Sequence, residues 1–221
     1  MELNKYIDHT VLKATTEPKD IIQLCKEARE NKFFSVCVNG SYVKLASKEL
    51  EGTEVKVCAV IGFPLGAMSS EAKIFEAKNC IENGAREIDM VINVGMLKAG
   101  QFAYVRDEIA EIKKAIGSNV LKVIIENCYL TDEEKKIATN LCLDAKADFV
   151  KTSTGFGTGG ATFEDIQLMK SIVGDKAKLK AAGGVRDLAT AEKYISLGAS
   201  RLGTSSGVEL MTTGTADPNK Y

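Results

Sequence analysis

Short apolar, β-branched runs alternate along the chain with longer segments whose apolar residues recur every three or four positions. This is the pattern of parallel strands joined by helical crossovers. Eight strands are predicted, at 6–10, 35–38, 55–61, 87–92, 120–125, 148–151, 178–181 and 201–203. Helix starts are signalled by Thr16-Glu17-Pro18, Ser69-Ser70-Glu71, Thr131-Asp132-Glu133-Glu134 and Thr162, and helix ends by Asn83-Gly84, Gly117, Gly174 and Gly198. Eight such units predict an α/β fold with a single (β/α)8 TIM barrel over residues 1–211 and a mobile tail over 212–221. An open doubly wound sheet is the alternative, but no GxGxxG follows the first strand.

Composition narrows this picture in a few places. With 221 residues, 45% hydrophobic content and 3 prolines, the chain can bury one full core. A formal net charge of -1, from 29 basic and 30 acidic residues spread evenly, offers no basic stripe for nucleic acid and no polybasic membrane patch. The N-terminus lacks an apolar signal core, and no stretch reaches the roughly 18 apolar residues of a membrane span. A cytoplasmic protein is therefore expected. Six cysteines without a CxxC pair read as reduced, mostly structural thiols. One histidine, His9, argues against a zinc or iron site built on imidazole. No helix pattern shows an unusually apolar outer face, although barrels often form homodimers through exposed helices.

The chemistry gathers at predicted strand ends, which in a barrel form the reaction face. In ADFVKTSTGFGT, residues 147–158, an apolar run delivers Lys151 to a loop of hydroxyls and glycines. LKAAGGVR repeats the arrangement with Lys180. A lysine is a nucleophile only when neutral, so its pKa must fall from about 10.4 through burial or a neighbouring cation. Adjacent strands six and seven would supply both. Lys178 shares a face with Lys180 and is expected to meet solvent at the barrel's bottom.

Asp89, in REIDMVINVG, sits mid-strand among apolar residues, where a charge costs several kcal/mol unless paired. It is the candidate proton shuttle for an imine, with Lys122 on the neighbouring strand as its expected partner and Glu87 a weaker candidate. Gly183-Gly184-Val185-Arg186 and Gly203-Thr204-Ser205-Ser206-Gly207 offer backbone donors and hydroxyls for a phosphate. Asp8 and His9, at the end of the first strand, would either bond a substrate hydroxyl or fix the loop. Cys37 reads as a lining residue, since no histidine is placed to activate it. Imine chemistry on a phosphorylated sugar is the leading expectation.

The segments YIDHTVLK, VCVNG, VIGFPLG, EIDMVINVG, KVIIENCYL, DFVKTSTGFGTGGAT, KAAGGVR and LGTSSG closely resemble, in order, the motifs of the deoxyribose-phosphate aldolases, a class I aldolase family. The resemblance implies reversible cleavage of 2-deoxy-D-ribose 5-phosphate to D-glyceraldehyde 3-phosphate and acetaldehyde, with no metal and no cofactor. It further implies that Lys151 forms the Schiff base, that Lys180 perturbs it and that Asp89 relays protons. Phosphate contacts would fall on Gly155, Gly183, Gly184, Val185, Arg186, Gly203, Ser205 and Ser206. Tyr221 matches a terminal tyrosine that reaches the site in members of the family. The chain departs from the family pattern at Ala14, Gly40, Ala59 and Asn127. Rival readings are a transaldolase, a ketose-phosphate aldolase, or a sugar-phosphate-binding barrel without catalysis.

Overall fold

The computed structural model describes residues 2–216. Its eight strands are β1 Ile7–Thr10, β2 Ser35–Asn39, β3 Lys56–Ile61, β4 Glu87–Val91, β5 Val120–Ile124, β6 Phe149–Lys151, β7 Lys178–Ala182 and β8 Ala199–Thr204. Each pairs in parallel with the next, and β8 pairs with β1, so the sheet closes into an eight-stranded barrel. Every predicted strand is present, with ends shifted by one or two residues. The largest consequence falls on β8: it begins at Ala199, which moves Arg201 from the rim to mid-strand.

The crossovers carry α1 Pro18–Asn31, α2 Val43–Glu49, α3 Ser70–Glu82, α4 Val94–Lys98, α5 Phe102–Ile116, α6 Asp132–Asp144, α7 Phe163–Val173, α8 Leu188–Ser196 and α9 Gly207–Thr212. Their starts follow the sequence signals. Glu17 and Asp20 form a capping box on α1, as do Thr131 and Glu134 on α6, while Ser69 and Thr162 cap α3 and α7. The signals named above do not mark α4 or α9, although the Asn93 side chain caps α4 by accepting from the Met96 N–H.

Strand alternation divides the interior into two environments. Outward side chains such as Ile88, Met90, Leu121, Val123 and Val150 join those of the helices in one continuous apolar layer. Inward positions are polar to an unusual degree: Asp8, Glu87, Asp89, Lys122, Lys151, Lys180 and Arg201 are all buried. Apolar burial outside the barrel stabilises the fold, and the inside is given over to charge.

Among the described residues, one fully buried ion pair lies outside the barrel. Lys73 on α3 donates to Glu108 on α5 at 2.8 Å and to the Val91 carbonyl at 2.9 Å, and both side chains are fully inaccessible. Ser70 also bonds Glu108, at 3.0 Å. This clamp joins two helices to the working end of β4.

Two expectations change. Helix α3 exposes Phe75 at 73%, more apolar surface than its pattern suggests, and the loop before it exposes Leu65 at 77% and Met68 as well. Within the stretch expected as a tail, Gly214 accepts from the Leu188 N–H and Ala216 donates to Arg186. Those residues are pinned to the loop after β7. Tyr221 lies outside the described residues.

Candidate active site

Register places the charged side chains in layers across the barrel. Asp89 is level with Lys122, Lys151 with Lys180, and Lys180 with Arg201. Because all of these strands run the same way, the charged side chains converge on one axis below the loops.

Asp89 is the hub. Its Oδ2 accepts from Lys151 at 2.8 Å and from Lys180 at 2.9 Å. Its Oδ1 accepts from Lys122 at 2.9 Å and from the Cys58 thiol at 3.0 Å. Asp8 pairs with Lys180 at 2.5 Å and with Arg201 at 2.6 Å. Glu87 pairs with Lys122 at 2.5 Å and with Arg201 at 2.8 Å. The Arg201 guanidinium stacks on the Phe34 ring, 3.1 Å from its centroid, so its face is apolar while its edges hold carboxylates.

Electrostatics follow from this packing. Burial alone would raise the Asp89 carboxyl, but Lys122, Lys151 and Lys180 overcome it and hold Asp89 well below the usual carboxylate range. Asp8 behaves alike: burial is outweighed by Lys180, Arg201 and Lys122. Burial works against the ammonium charges, yet Asp89 with its neighbours drives Lys122 well above the ordinary lysine value, and Asp8 with Asp89 raises Lys180. Lys180 is therefore a fixed cation beside Lys151.

Above the cluster lies a cavity of about 110 Å3 lined by Lys151, Thr154, Gly155, the segment 182–186, Gly203, Thr204 and Ser205 from the three loops after β6, β7 and β8, with Thr10 and Leu12 from the first strand's end. All the residues proposed for the phosphate are on it except Ser206, which is buried and donates its N–H to Thr204 Oγ1 at 3.0 Å. Gly183 and Gly184 both have φ of +81°, a left-handed region open to glycine, and a side chain on Gly183 would meet Gly160 at 2.9 Å.

Three threonines stitch the loops together, and sequence reasoning missed two of them entirely. Thr152 Oγ1 bonds both the N–H and the carbonyl of Ala182, and Thr204 Oγ1 donates to Val185 at 2.8 Å. Thr154 bonds Glu126 through its N–H and its hydroxyl. Glu126, with φ of +53°, was also missed; the left-handed turn after β5 aims its carboxylate at the loop after β6. Phe63 and Phe156 meet edge-on at 5.3 Å, joining the loops after β3 and β6.

Other candidates separate. Lys178 is exposed at the start of β7, below the cluster. His9 points out of the barrel and hydrogen-bonds Glu27 at 2.7 Å, because alternation sends it opposite to Asp8. Asp8, on the opposite face, bonds Lys180 and Arg201 within the barrel. Ala59 faces the helices, and Asn127 bonds Met169, so neither departure touches the cluster. Burial pushes the Cys25 and Cys80 thiols up to about 12, as suits structural cysteines.

Cys37, Cys58 and Asp89 bring donor atoms within 4.8 Å of one another, a spacing that could hold a metal. Asp89 already accepts from three ammonium groups, so a divalent cation would have to displace them inside a cluster of like charge.

A closed parallel barrel holding lysines dry around one carboxylate, under glycine loops at its C-terminal end, defines a (β/α)8-barrel enzyme with its reaction face at that end. The comparisons are specific about which. A family model described as DeoC/LacD family aldolase matches residues 3–210. The chain is 58% identical over 214 residues to a deoxyribose-phosphate aldolase of Carboxydothermus hydrogenoformans, covering 95% of this chain and 94% of that one. Among solved structures, "QR15, an Aldolase" superposes with a TM-score of 0.91 at 44% identity, over 94% of this chain and 93% of that one. The deoxyribose phosphate aldolase of Aeropyrum pernix, described as a unique tetrameric structure, superposes with a TM-score of 0.87 at 30% identity, over 96% and 92%. The chain belongs to the DeoC/LacD family of aldolases, which are carbon–carbon lyases.

Proposed function

We propose that the protein is a class I aldolase that reversibly cleaves 2-deoxy-D-ribose 5-phosphate to D-glyceraldehyde 3-phosphate and acetaldehyde. The observation that carries this is the meeting of Lys151 and Lys180 on one oxygen of Asp89, directly beneath a cavity walled by glycines. An amine with a fixed cation and a proton-carrying carboxylate beside it is what carbinolamine formation and collapse require.

In this reading Lys151 attacks C1 of the open-chain sugar, and Asp89 with water moves the protons that release hydroxide as water. The imine draws electrons from the C2–C3 bond as it breaks, the C3 hydroxyl gives up its proton to become the new aldehyde, and glyceraldehyde 3-phosphate leaves. The enamine is then protonated at carbon, and hydrolysis of the imine returns acetaldehyde and free Lys151. Gly155, Gly183, Gly184, Val185, Arg186, Gly203 and Ser205 receive the phosphate end through backbone and hydroxyl donors. Ser206 supports that loop from below.

A cytoplasmic setting belongs to the same reading, supported by six unpaired cysteines. So does self-association, for which the exposed Leu65 and Phe75 offer apolar surface. Among the described residues, no helix is long and apolar enough to cross a membrane.

The test offers 2-deoxyribose 5-phosphate and fructose 1,6-bisphosphate side by side, with and without EDTA. Cleavage of the first alone, undiminished by EDTA, is the expected result. Preference for the ketose bisphosphate, or loss with EDTA, would overturn the assignment.

A further inference from the structure

The cluster inside the barrel holds unequal numbers of charges. Three carboxylates, Asp8, Glu87 and Asp89, face four basic groups, Lys122, Lys151, Lys180 and Arg201, and every one of the seven is buried. In a dry interior an uncompensated cation costs several kcal/mol, so the cluster is most stable when one basic group is neutral.

Which group yields is decided by the partners. Arg201 cannot lose its proton, and it takes Asp8 at 2.6 Å and Glu87 at 2.8 Å while its face rests on Phe34. Lys180 retains Asp8 and Asp89, and Lys122 retains Glu87 and Asp89. Lys151 has a single carboxylate contact, to an oxygen it shares with Lys180, and its side chain alone among the three lysines keeps some access to the cavity, at 4% against 0%. We propose that Arg201 is a positioning residue for Lys151: by occupying Asp8 and Glu87 it leaves the cluster one anion short, and Lys151 is the member that releases its proton.

This rests on the Schiff-base reading above. The groups facing Lys151 come from all the other strands: Asp8 on β1, Cys37 on β2, Cys58 on β3, Glu87 and Asp89 on β4, Lys122 on β5, Lys180 on β7 and Arg201 on β8. Cys58 is kept protonated by burial. Among the described residues facing Lys151, Cys37 is the further group able to become an anion, so the variants are best made in a Cys37→Ser background, which holds the cluster's anions at three.

The experiment follows the rate of borohydride trapping of acetaldehyde at Lys151, by peptide mass, against pH. Arg201→Gln should move the half-maximal pH up by about one unit or more, cutting the rate at pH 7 about tenfold. Glu87→Gln should move it down. The double variant should return near the parent, and Arg201→Lys should stay close to it. A purely structural role would lower the trapped fraction in both single variants and leave both midpoints in place, and that result overturns the proposal. If Arg201→Gln does not fold, an unmoved midpoint in Glu87→Gln overturns it equally. Absence of trapping at Lys151 in the parent would instead sink the Schiff-base reading itself.

Discussion

Lys151 and Lys180 donate to the same atom, Oδ2 of Asp89, at 2.8 and 2.9 Å. A reacting amine and a permanent cation thus share one acceptor, and whichever proton Lys151 gives up or takes back passes within reach of that carboxylate.

Asp89→Asn should therefore damage both chemistry and fold. Turnover is expected to fall by about 10²–10⁴ with loss of the proton shuttle. Lys122 and Lys180 would lose the counter-charge they share, and the free energy of unfolding should drop by about 3–5 kcal/mol. Steady-state cleavage and urea denaturation read the two effects separately. Unchanged turnover would remove Asp89 from the reaction.

The loops after β6 and β7 touch through two glycines: a methyl group on Gly160 would stand 2.2 Å from the Gly183 carbonyl oxygen. Gly160→Ala must push the Gly183-Gly184 turn into the cavity. The expected outcome is a KM for the phosphorylated sugar raised about tenfold or more, with a smaller change in kcat, because binding geometry and not the amine is disturbed. Equal KM values for variant and parent would argue that this turn does not receive the phosphate.

Lys73 and Glu108 form an ion pair with no access to water. Breaking it one-sidedly, with Glu108→Gln or Lys73→Met, should cost about 3–5 kcal/mol, whereas replacing both with apolar residues should restore much of the loss. Denaturant titration of the three variants gives the coupling. If the double variant is as unstable as the sum of the singles, the pair is not coupled in this way.

Stability should be flat through neutral pH as far as Asp8, Asp89, Lys122 and Lys180 are concerned. Asp8 and Asp89 have depressed values in the folded protein, so their contribution is complete above the unfolded value near pH 4 and is lost as pH falls below it. Lys122 and Lys180 have raised values, so theirs is complete below about pH 10 and is lost as pH rises through the folded values. Denaturation midpoints measured from pH 3 to 11 should fall on both flanks, toward acid and toward alkali. A protein more stable at pH 3 than at pH 7 would contradict the charge assignments.

The barrel was legible in the sequence because eight short β-branched or apolar runs alternate with amphipathic segments, several of which carry well-marked helix caps. Lys151, Lys180, Asp89 and Lys122 were legible for a related reason: a charged residue flanked by apolar ones in a strand has few explanations. Arg201 was not, because placing the strand's first residue on it set it at the rim, and only the true start at Ala199 shows it mid-barrel. Glu126 and the threonines of the loops escaped because their roles depend on contacts between loops distant in the chain. His9 misled through adjacency to Asp8, since neighbouring residues on a strand face opposite sides.

The central claim is that Lys151 is the amine that bonds the carbonyl carbon. Incubating the protein with acetaldehyde, reducing with borohydride and mapping the peptides should place one added two-carbon group, a C2H4 increment, on Lys151. A modified residue elsewhere, or no modification in protein that is folded, would contradict the account.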